Sequence, residues 1–275
     1  MIGAIIGDIV GSIYEFSNIK TKDFPMFGED CSYTDDSILA IATADWLLHG
    51  GEVAEFYFRY ADKYNYPMGG YGSGFLKWVN DTKSGGGLSP YNSCGNGSAM
   101  RVVPVGWISS TIPFLTEKRI LRAAKNSAEC THNHPEGIKG AQATALCIYL
   151  ARKKMPVNKI RKQIAKDFAY DLSLSVEEIR PRYSWQGIDG AGNGGTCQGS
   201  VPQAIICALE ASDFEDAIRN AISIGGDSDT IGCITGGIAE ALFGIPKDIR
   251  QKGMSYLPKE LKDVVEEFEM RFGGK

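Results

Sequence analysis

The sequence lacks three patterns that mark specialised classes of protein. Its 275 residues contain no apolar run long enough to cross a bilayer, no CxxC pair and no block of lysine and arginine. The apolar segment 2–13 is too short to span a membrane and carries Asp8 in its middle. We therefore predict neither a membrane partner nor a targeting segment, and we read 2–13 as a buried helix whose glycines allow close packing.

Charge and cysteine content narrow the possible partners and the expected cellular location. The net charge is −4 and no basic patch stands out, so a nucleic-acid partner is not predicted. A small anionic ligand stays open, because helix N-termini and bound cations hold anions without a basic surface. The seven cysteines are widely spaced and three lie in apolar runs, which favours free thiols and a cytoplasmic location.

Strand-like alternation is rare, and helical periodicity dominates the chain. The length suits one large domain, which we place over residues 1–275. We predict an all-α fold. The segments with helical spacing are residues 2–13, 37–48, 53–64, 116–130, 135–154, 157–172, 201–211, 213–224, 230–243 and 258–272.

Two long segments lack helical periodicity and are rich in glycine. Residues 66–96 and 183–199 are predicted to be functional loops, since structureless stretches of this length are rare in compact domains. Gly190, Gly192 and Gly195 match G-x-G-x-x-G by position. No strand precedes them, so the pattern does not predict a dinucleotide-binding fold.

The candidate functional residues lie at two acidic helix starts. Each places two carboxylates and a threonine hydroxyl within four residues, directly before or within the first turn of an apolar helix. The first supplies Thr34, Asp35 and Asp36, and the second supplies Asp227, Asp229 and Thr230. Helix capping explains either one alone. A cap, however, needs one acceptor, and two glycines before Asp227 allow close approach of a backbone or ligand.

If the two helix starts face each other, four carboxylates converge and repel unless cations neutralise them. Hard oxygen donors select Mg²⁺ or Mn²⁺ over zinc or copper. Two such ions would balance four carboxylates, activate a water and bind substrate oxygens. The spacing by itself does not establish this convergence.

The chain resembles the ADP-ribosylglycohydrolase family along nearly its whole length. Any one of the matching segments is moderate evidence, but all of them in this order are highly specific. These segments are GAIIGD (3–8), YE (14–15), YTDDS (33–37), GNGSAMR (95–101), TH (131–132), QGSVP (198–202) and GGDSDTI (225–231).

The resemblance implies a single-domain orthogonal bundle of many helices with a two-metal cleft. It implies two Mg²⁺ or Mn²⁺ ions as cofactors and a glutamate, Glu15, that caps one of them. The metal ligands it implies are Thr34, Asp35, Asp36, Asp227, Asp229 and Thr230. The substrate contacts it implies are Asn96, Gly97 and Ser98 for a diphosphate and His132 near a ribose. Cys94 stands where some members carry an adenine-contacting aromatic.

Read without the resemblance, several of these residues have simpler explanations. Gly95-x-Gly97 is equally a tight turn, and a lone His132 is more often structural than catalytic. Soft-metal binding is a minor reading of His132 with Cys130 and His134, because their spacing is not that of a zinc module. We interpret Asp8 as an anchor behind the ligands. Four loop aromatics are candidates for stacking on adenine, although most such residues simply pack: Tyr66, Tyr71, Tyr91 and Trp185.

The implied reaction is hydrolysis of the glycosidic bond between ADP-ribose and a protein side chain or small acceptor. A metal-bound water would attack the anomeric carbon, with Glu15, Asp36 or Asp229 taking its proton. The acceptor stays open among arginine, serine, acetyl and nucleobase linkages. The partner would be an ADP-ribosylated protein or a small conjugate. A module that only binds ADP-ribose and an unrelated two-metal phosphohydrolase are the alternatives.

Overall fold

The computed structural model describes residues 1–110 and 116–273. The prediction of one domain over 1–275 extends to residues 111–115 and 274–275, which lie outside the described part. The regular secondary structure of the described chain is almost entirely helical, as predicted. Its α-helices are α1 (Ile2–Gly11), α2 (Asp35–His49), α3 (Val53–Lys63), α4 (Ser73–Lys83), α5 (Gly97–Arg101), α6 (Glu117–Glu129), α7 (Pro135–Arg152), α8 (Val157–Phe168), α9 (Val176–Ile179), α10 (Cys197–Leu209), α11 (Phe214–Ser223), α12 (Ser228–Phe243), α13 (Lys247–Ser255) and α14 (Lys259–Phe272). A 3₁₀ helix covers Val103–Ser110, and β1 (Tyr183–Ser184) pairs with β2 (Gly187–Ile188) as an antiparallel hairpin.

Helices α1 and α12 form the centre of the fold. Every residue of α1 is buried, as are the first 13 residues of α12. The other helices that pack against α12 include α7, α10 and α11, while α2 and α13 pack against α1. An apolar helix is buried on all sides only when neighbours surround it, so these two helices form the core.

Glycines let the backbones of α1 and α12 touch. A Cβ placed on Gly7 would lie 1.9 Å from the carbonyl oxygen of Gly232, and one on Gly3 would lie 2.2 Å from that of Gly236. At the other end, a Cβ on Gly11 would lie 2.4 Å from the carbonyl oxygen of Ser228. The helices are therefore antiparallel. The C-terminal end of α1 meets the N-terminal end of α12, where the second acidic segment lies.

Several observed elements were not predicted: α4, α5, α9, α13, the 3₁₀ helix and the β1–β2 hairpin, which lies in the predicted loop 183–199. The segment 66–96 was predicted as a loop, but α4 occupies Ser73–Lys83 with Phe75, Trp78 and Val79 buried. That spacing is helical, and the glycines around it obscured the signal. Helix α13 was not predicted, because only Ile249 and Gly253 are buried along it.

Several predicted helix ends also shift. The helix expected over 157–172 ends at Phe168, where Ala169 adopts a left-handed conformation with φ +52°. The helix expected from residue 201 begins at Cys197, with Pro202 inside it. Pro202 is the sixth residue of α10, beyond the first turn, so it cannot donate the hydrogen bond that an N–H at this position would make to the carbonyl of Gln198. None of the helices in the described part is long and apolar enough to cross a membrane.

Candidate active site

The end of α1 and the start of α12 bring three carboxylates together. One side-chain oxygen from each of Glu15, Asp227 and Asp229 lies within 4.8 Å of the others. Both aspartates are buried, and Glu15 is partly exposed. Three carboxylates at this spacing are a candidate cation site, because their mutual repulsion must be compensated.

Asp8 fixes the first acidic segment against α1. Its carboxylate accepts hydrogen bonds from the backbone N–H groups of Thr34 (3.0 Å) and Ser37 (3.1 Å) and from both of their hydroxyls, that of Thr34 at 2.7 Å. Asp8 is fully buried and does not line the cavity described below. This arrangement agrees with the interpretation of Asp8 as an anchor.

The two acidic helix starts meet, as the hypothesis of convergence required. The hydroxyl of Thr230 on α12 donates to Oδ1 of Asp36 on α2 at 3.4 Å. Since α1 holds α2 through Asp8 and holds α12 through its glycines, the two starts are fixed relative to each other. Four aspartates and Glu15 thus share one region of the molecule.

Helix capping does not explain why so many carboxylates lie at these two helix starts. Thr34 caps α2 by accepting from the backbone N–H of Asp36 at 3.2 Å. Asp227 stands at the N-cap of α12, but its side chain does not cap the helix. Its Oδ2 accepts instead from Nδ2 of Asn96 at 2.7 Å. The aspartates are therefore free for another role.

Two buried carboxylate oxygens of this acidic cluster have no hydrogen-bond partner among the described residues, Oδ2 of Asp36 and Oδ1 of Asp229. A buried unpaired carboxylate oxygen is costly unless it binds a proton or a cation. Burial, together with repulsion from neighbouring carboxylates, raises the pKa values of Asp35, Asp36 and Asp229 well above the usual range. These residues therefore fit a site that holds divalent cations.

The other acidic residues of the cluster also have raised pKa values. Burial raises the pKa of Asp227 to about 6 and that of Asp8 to about 6. Burial and the charges of Asp229 and Asp8 raise the pKa of Glu15 to about 8. Near neutral pH and without cations, this cluster would hold protons that ordinary carboxylates have lost.

A cavity of about 340 Å³ opens over the cluster. Its volume lies within the range of small-molecule binding sites. The predicted site residues that line it are Glu15, Asp35, Asp36, Asn96, Gly97, His132, Asp227, Asp229 and Thr230. Of the four candidate loop aromatics, Tyr91 and Trp185 line the cavity, whereas Tyr66 is 93% exposed and Tyr71 donates its hydroxyl to the carbonyl of Tyr64.

Two predicted site residues do not line the cavity. Thr34 is fully buried beneath it. Its hydroxyl donates to Asp8 and accepts from Asp36, which leaves one lone pair for another contact. Ser98 is also fully buried, and its hydroxyl donates to the carbonyl of Gly137 at 2.7 Å. The Ser98 side chain is therefore unavailable to a ligand in this structure.

Glu15 is held from several sides, although it follows α1 in a turn. The amide of Asn18 donates to the Glu15 carbonyl (3.1 Å) and also bonds both the carbonyl and the N–H of Gly226. The indole of Trp185 donates to the same Glu15 carbonyl at 3.0 Å. A Cβ on Gly69, which has φ +76°, would lie 2.6 Å from the Glu15 carboxylate. Glycine is required there.

Arg101 is a cavity-lining residue to which the sequence reasoning assigned no role. It is fully buried, and its Nη2 donates to the carbonyl of Ser127 (2.8 Å) and to Oγ1 of Thr131 (2.7 Å). Thr131 in turn contacts Nδ1 of His132 at 2.8 Å. An arginine directly before the apolar run VVPVGWI (102–108) was the signal, since arginine is rarely buried without a partner.

The soft-metal reading of Cys130, His132 and His134 finds no support in the described chain. Nδ1 of His134 accepts from the backbone N–H of Glu136, which makes His134 the N-cap of α7. These three side chains do not form a metal-binding group among the described residues.

Comparison with known proteins identifies the family. The sequence matches the family model described as ADP-ribosylglycohydrolase over residues 1–274, and the chain belongs to this family. The resemblance found from the sequence motifs is thereby confirmed.

Individual relatives agree with this assignment. ADP-ribosylhydrolase ARH3 from Homo sapiens is 28% identical, with 92% of this chain and 88% of the relative covered. The protein of that name from Danio rerio is 27% identical, with coverages of 89% and 82%. A solved structure titled "ADP-ribosylglycohydrolase-related protein complex" superposes with a TM-score of 0.69 at 20% identity, covering 98% of this chain and 96% of that one. This structural likeness shows the shared all-α fold.

Proposed function

We propose that this protein is a metal-dependent hydrolase that cleaves the glycosidic bond between ADP-ribose and a protein side chain or small acceptor. The observation that carries the proposal is the cavity floor, where Glu15 and four aspartates from opposite ends of the chain converge. The names of the relatives support ADP-ribose as the substrate group.

The proposed cofactors are two Mg²⁺ or Mn²⁺ ions. Their proposed ligands are Thr34, Asp35, Asp36, Asp227, Asp229 and Thr230, with Glu15 beside them. The fit rests on the all-oxygen donor set and on the two buried, unpaired carboxylate oxygens. Ions bound there would lower the pKa of water and bind substrate oxygens.

The residues around the cluster would bind and orient the substrate. Asn96 and Gly97 lie at the start of α5. The backbone N–H of Asn96 donates to the carbonyl of Gly195 at 3.1 Å, so the N–H of Gly97, which has no acceptor within the helix, is the donor proposed for an anion. Tyr91 and Trp185 offer ring faces at the cavity wall. The diphosphate would therefore lie against the start of α5, with the scissile bond over the carboxylates.

Three carboxylates are placed to take a proton from the attacking water: Glu15, Asp36 and Asp229. All three line the cavity, and each lies close to at least one other acid. Glu15 is the most exposed of the three and follows a helix rather than starting one. A general base must reach the water it activates, so Glu15 is our first choice.

The test is release of free ADP-ribose from a panel of arginine-linked, serine-linked and O-acetyl ADP-ribose. Each substrate is incubated with Mg²⁺, with Mn²⁺ or with EDTA. We expect intact ADP-ribose from at least one substrate, abolished by EDTA and restored by excess cation. Release of AMP or phosphate would instead identify a phosphohydrolase. Tight binding of ADP-ribose without turnover would identify a binding module. Absence of both binding and turnover would refute the proposal.

A further inference from the structure

Arg101 is a buried cation without a carboxylate partner in the described chain. Its guanidinium carbon lies 3.9 Å from the centre of the Tyr57 ring, and its Nη2 bonds the Ser127 carbonyl and the Thr131 hydroxyl. A guanidinium has only donors, so Oγ1 of Thr131 must accept. One lone pair of this hydroxyl is thereby used, and its single proton is free to donate.

Among the described residues, the Thr131 proton has one good acceptor. Oγ1 lies 2.8 Å from Nδ1 of His132. The sulfur of Cys130 also lies near this hydroxyl, but a thiol is a weak acceptor. The Thr131 hydroxyl therefore donates to Nδ1. A neutral imidazole that accepts at Nδ1 carries its proton on Nε2.

Nε2 of His132 faces the cavity. A Cβ placed on Gly97 would lie 3.3 Å from this nitrogen, and one on Gly95 would lie 3.6 Å from it. In the described part of the chain only Nδ1 of this ring forms a hydrogen bond. Burial and the nearby Arg101 charge lower the pKa of His132 well below its usual value, so the ring is neutral.

We propose that Arg101 and Thr131 are positioning residues that hold His132 as the Nε2–H tautomer, so that the ring donates one hydrogen bond to a substrate oxygen in the cavity. The opposite tautomer would make Nε2 an acceptor and would select a substrate hydroxyl as donor. The nature of the substrate rests on the proposed function, but the tautomer does not.

Nitrogen NMR of the whole protein labelled with ¹⁵N-histidine reads the tautomer directly, because the chain has only three histidines. Nδ1 of His134 accepts from Glu136 and gives a reference for the Nε2–H form. Nδ1 of His49 faces the Asp45 carboxylate at 2.8 Å and gives the opposite reference. Spectra of His49→Gln and His134→Gln assign the signals. We expect His132 to match His134, and protonation at Nδ1 would overturn the inference.

A pair of variants then tests the relay. Thr131→Val keeps the shape but removes the hydroxyl, and Thr131→Ser keeps the hydroxyl. In Thr131→Val we expect the nitrogen NMR signals of His132 to show a mixture of the two tautomers instead of the Nε2–H form alone. We also expect this variant to bind ADP-ribose with Mg²⁺ about tenfold more weakly by calorimetry, the effect of one hydrogen bond. Thr131→Ser should restore both properties.

Unchanged NMR pattern and unchanged affinity in Thr131→Val would refute the relay. If that variant fails to fold, as judged by its thermal unfolding, the wild-type spectrum and Thr131→Ser still decide the matter. If wild-type protein neither binds ADP-ribose nor releases it from any substrate, the proposed function fails. The tautomer of His132 is then upheld or refuted by the spectrum alone.

Discussion

At the scale of single residues, the same residue type has different roles according to its surroundings. Asp36 and Asp248 both lie in the first turn of a helix. Asp36 is buried, faces other acids and has an unpaired oxygen, whereas Asp248 is exposed on α13. Only the first position concentrates negative charge that a cation must balance. The two positions therefore provide a matched comparison.

We expect Asp36→Asn and Asp227→Asn each to lower the rate of ADP-ribose release by at least about 100-fold. Replacing a partner that only supports a metal ligand typically costs 10–100-fold, so replacing a ligand itself should cost at least the upper value. The measurement is the initial rate over a range of Mg²⁺ concentrations. Asp248→Asn is the control and should retain the wild-type rate. Wild-type activity in either site variant would contradict the ligand assignment.

At the scale of elements, the packing of α1 on α12 sets the geometry of the site. The two helices are close enough for their backbones to touch because glycines recur at every fourth position of α1, at Gly3, Gly7 and Gly11. A side chain at any of these positions would push the helices apart. Glu15 and Asp8 would then move away from Asp227 and Asp229.

Gly7→Ala should therefore destabilise the protein. The added Cβ would overlap the carbonyl oxygen of Gly232 at 1.9 Å. We expect a loss of at least about 3 kcal/mol in the free energy of unfolding, the upper end of ordinary overpacking costs. Urea unfolding measures this loss.

Gly72→Ala is the matched control for stability. A Cβ at Gly72 meets no atom within 4 Å, and its φ of −53° suits alanine. The substitution should change the free energy of unfolding by less than about 1 kcal/mol. Equal urea midpoints for Gly7→Ala and wild type would show that the interface tolerates the methyl group and that the close contact is not required.

Much of the element layout was predictable because buried helices display regular apolar spacing. The glycines at 3, 7 and 11 indicated close packing. Their packing partner, α12, lies more than 200 residues away along the chain, so no local sequence pattern identifies it. Helix α4 was missed because glycines surround it. The role of Arg101 was missed for a different reason. Its partners are the Ser127 carbonyl and the Tyr57 ring, which only tertiary structure brings to it.

At the scale of the whole molecule, the acidic cluster links stability to pH. An unfolded aspartate or glutamate titrates near pH 4. In the folded chain the pKa of Asp8 and of Asp227 is about 6, and that of Glu15 is about 8. Between about pH 4 and 8 the folded state therefore binds more protons than the unfolded state. Without cations, stability falls as the pH rises through this window.

Divalent cations should counteract this loss of stability. We expect the thermal midpoint in EDTA to be lower at about pH 8 than at about pH 5.5, because the cluster loses its protons. Mg²⁺ or Mn²⁺ should raise the midpoint at both pH values and more strongly at the higher one, where cation and proton no longer compete. Asp36→Asn should show a smaller increase. An increase independent of pH would mean that the cations bind elsewhere.

The long-range contact between α1 and α12 also determines when the site can form during translation. The backbone N–H of Gly3 donates to Glu240, 237 residues further along the chain. At translation rates of about 5–20 residues per second, α1 leaves the ribosome roughly 10–50 s before α12 follows. Throughout that interval its apolar surface lacks its final partner. The acidic site comes into existence only in the last stage of translation, so an interrupted chain that stops before residue 227 yields no partly active product.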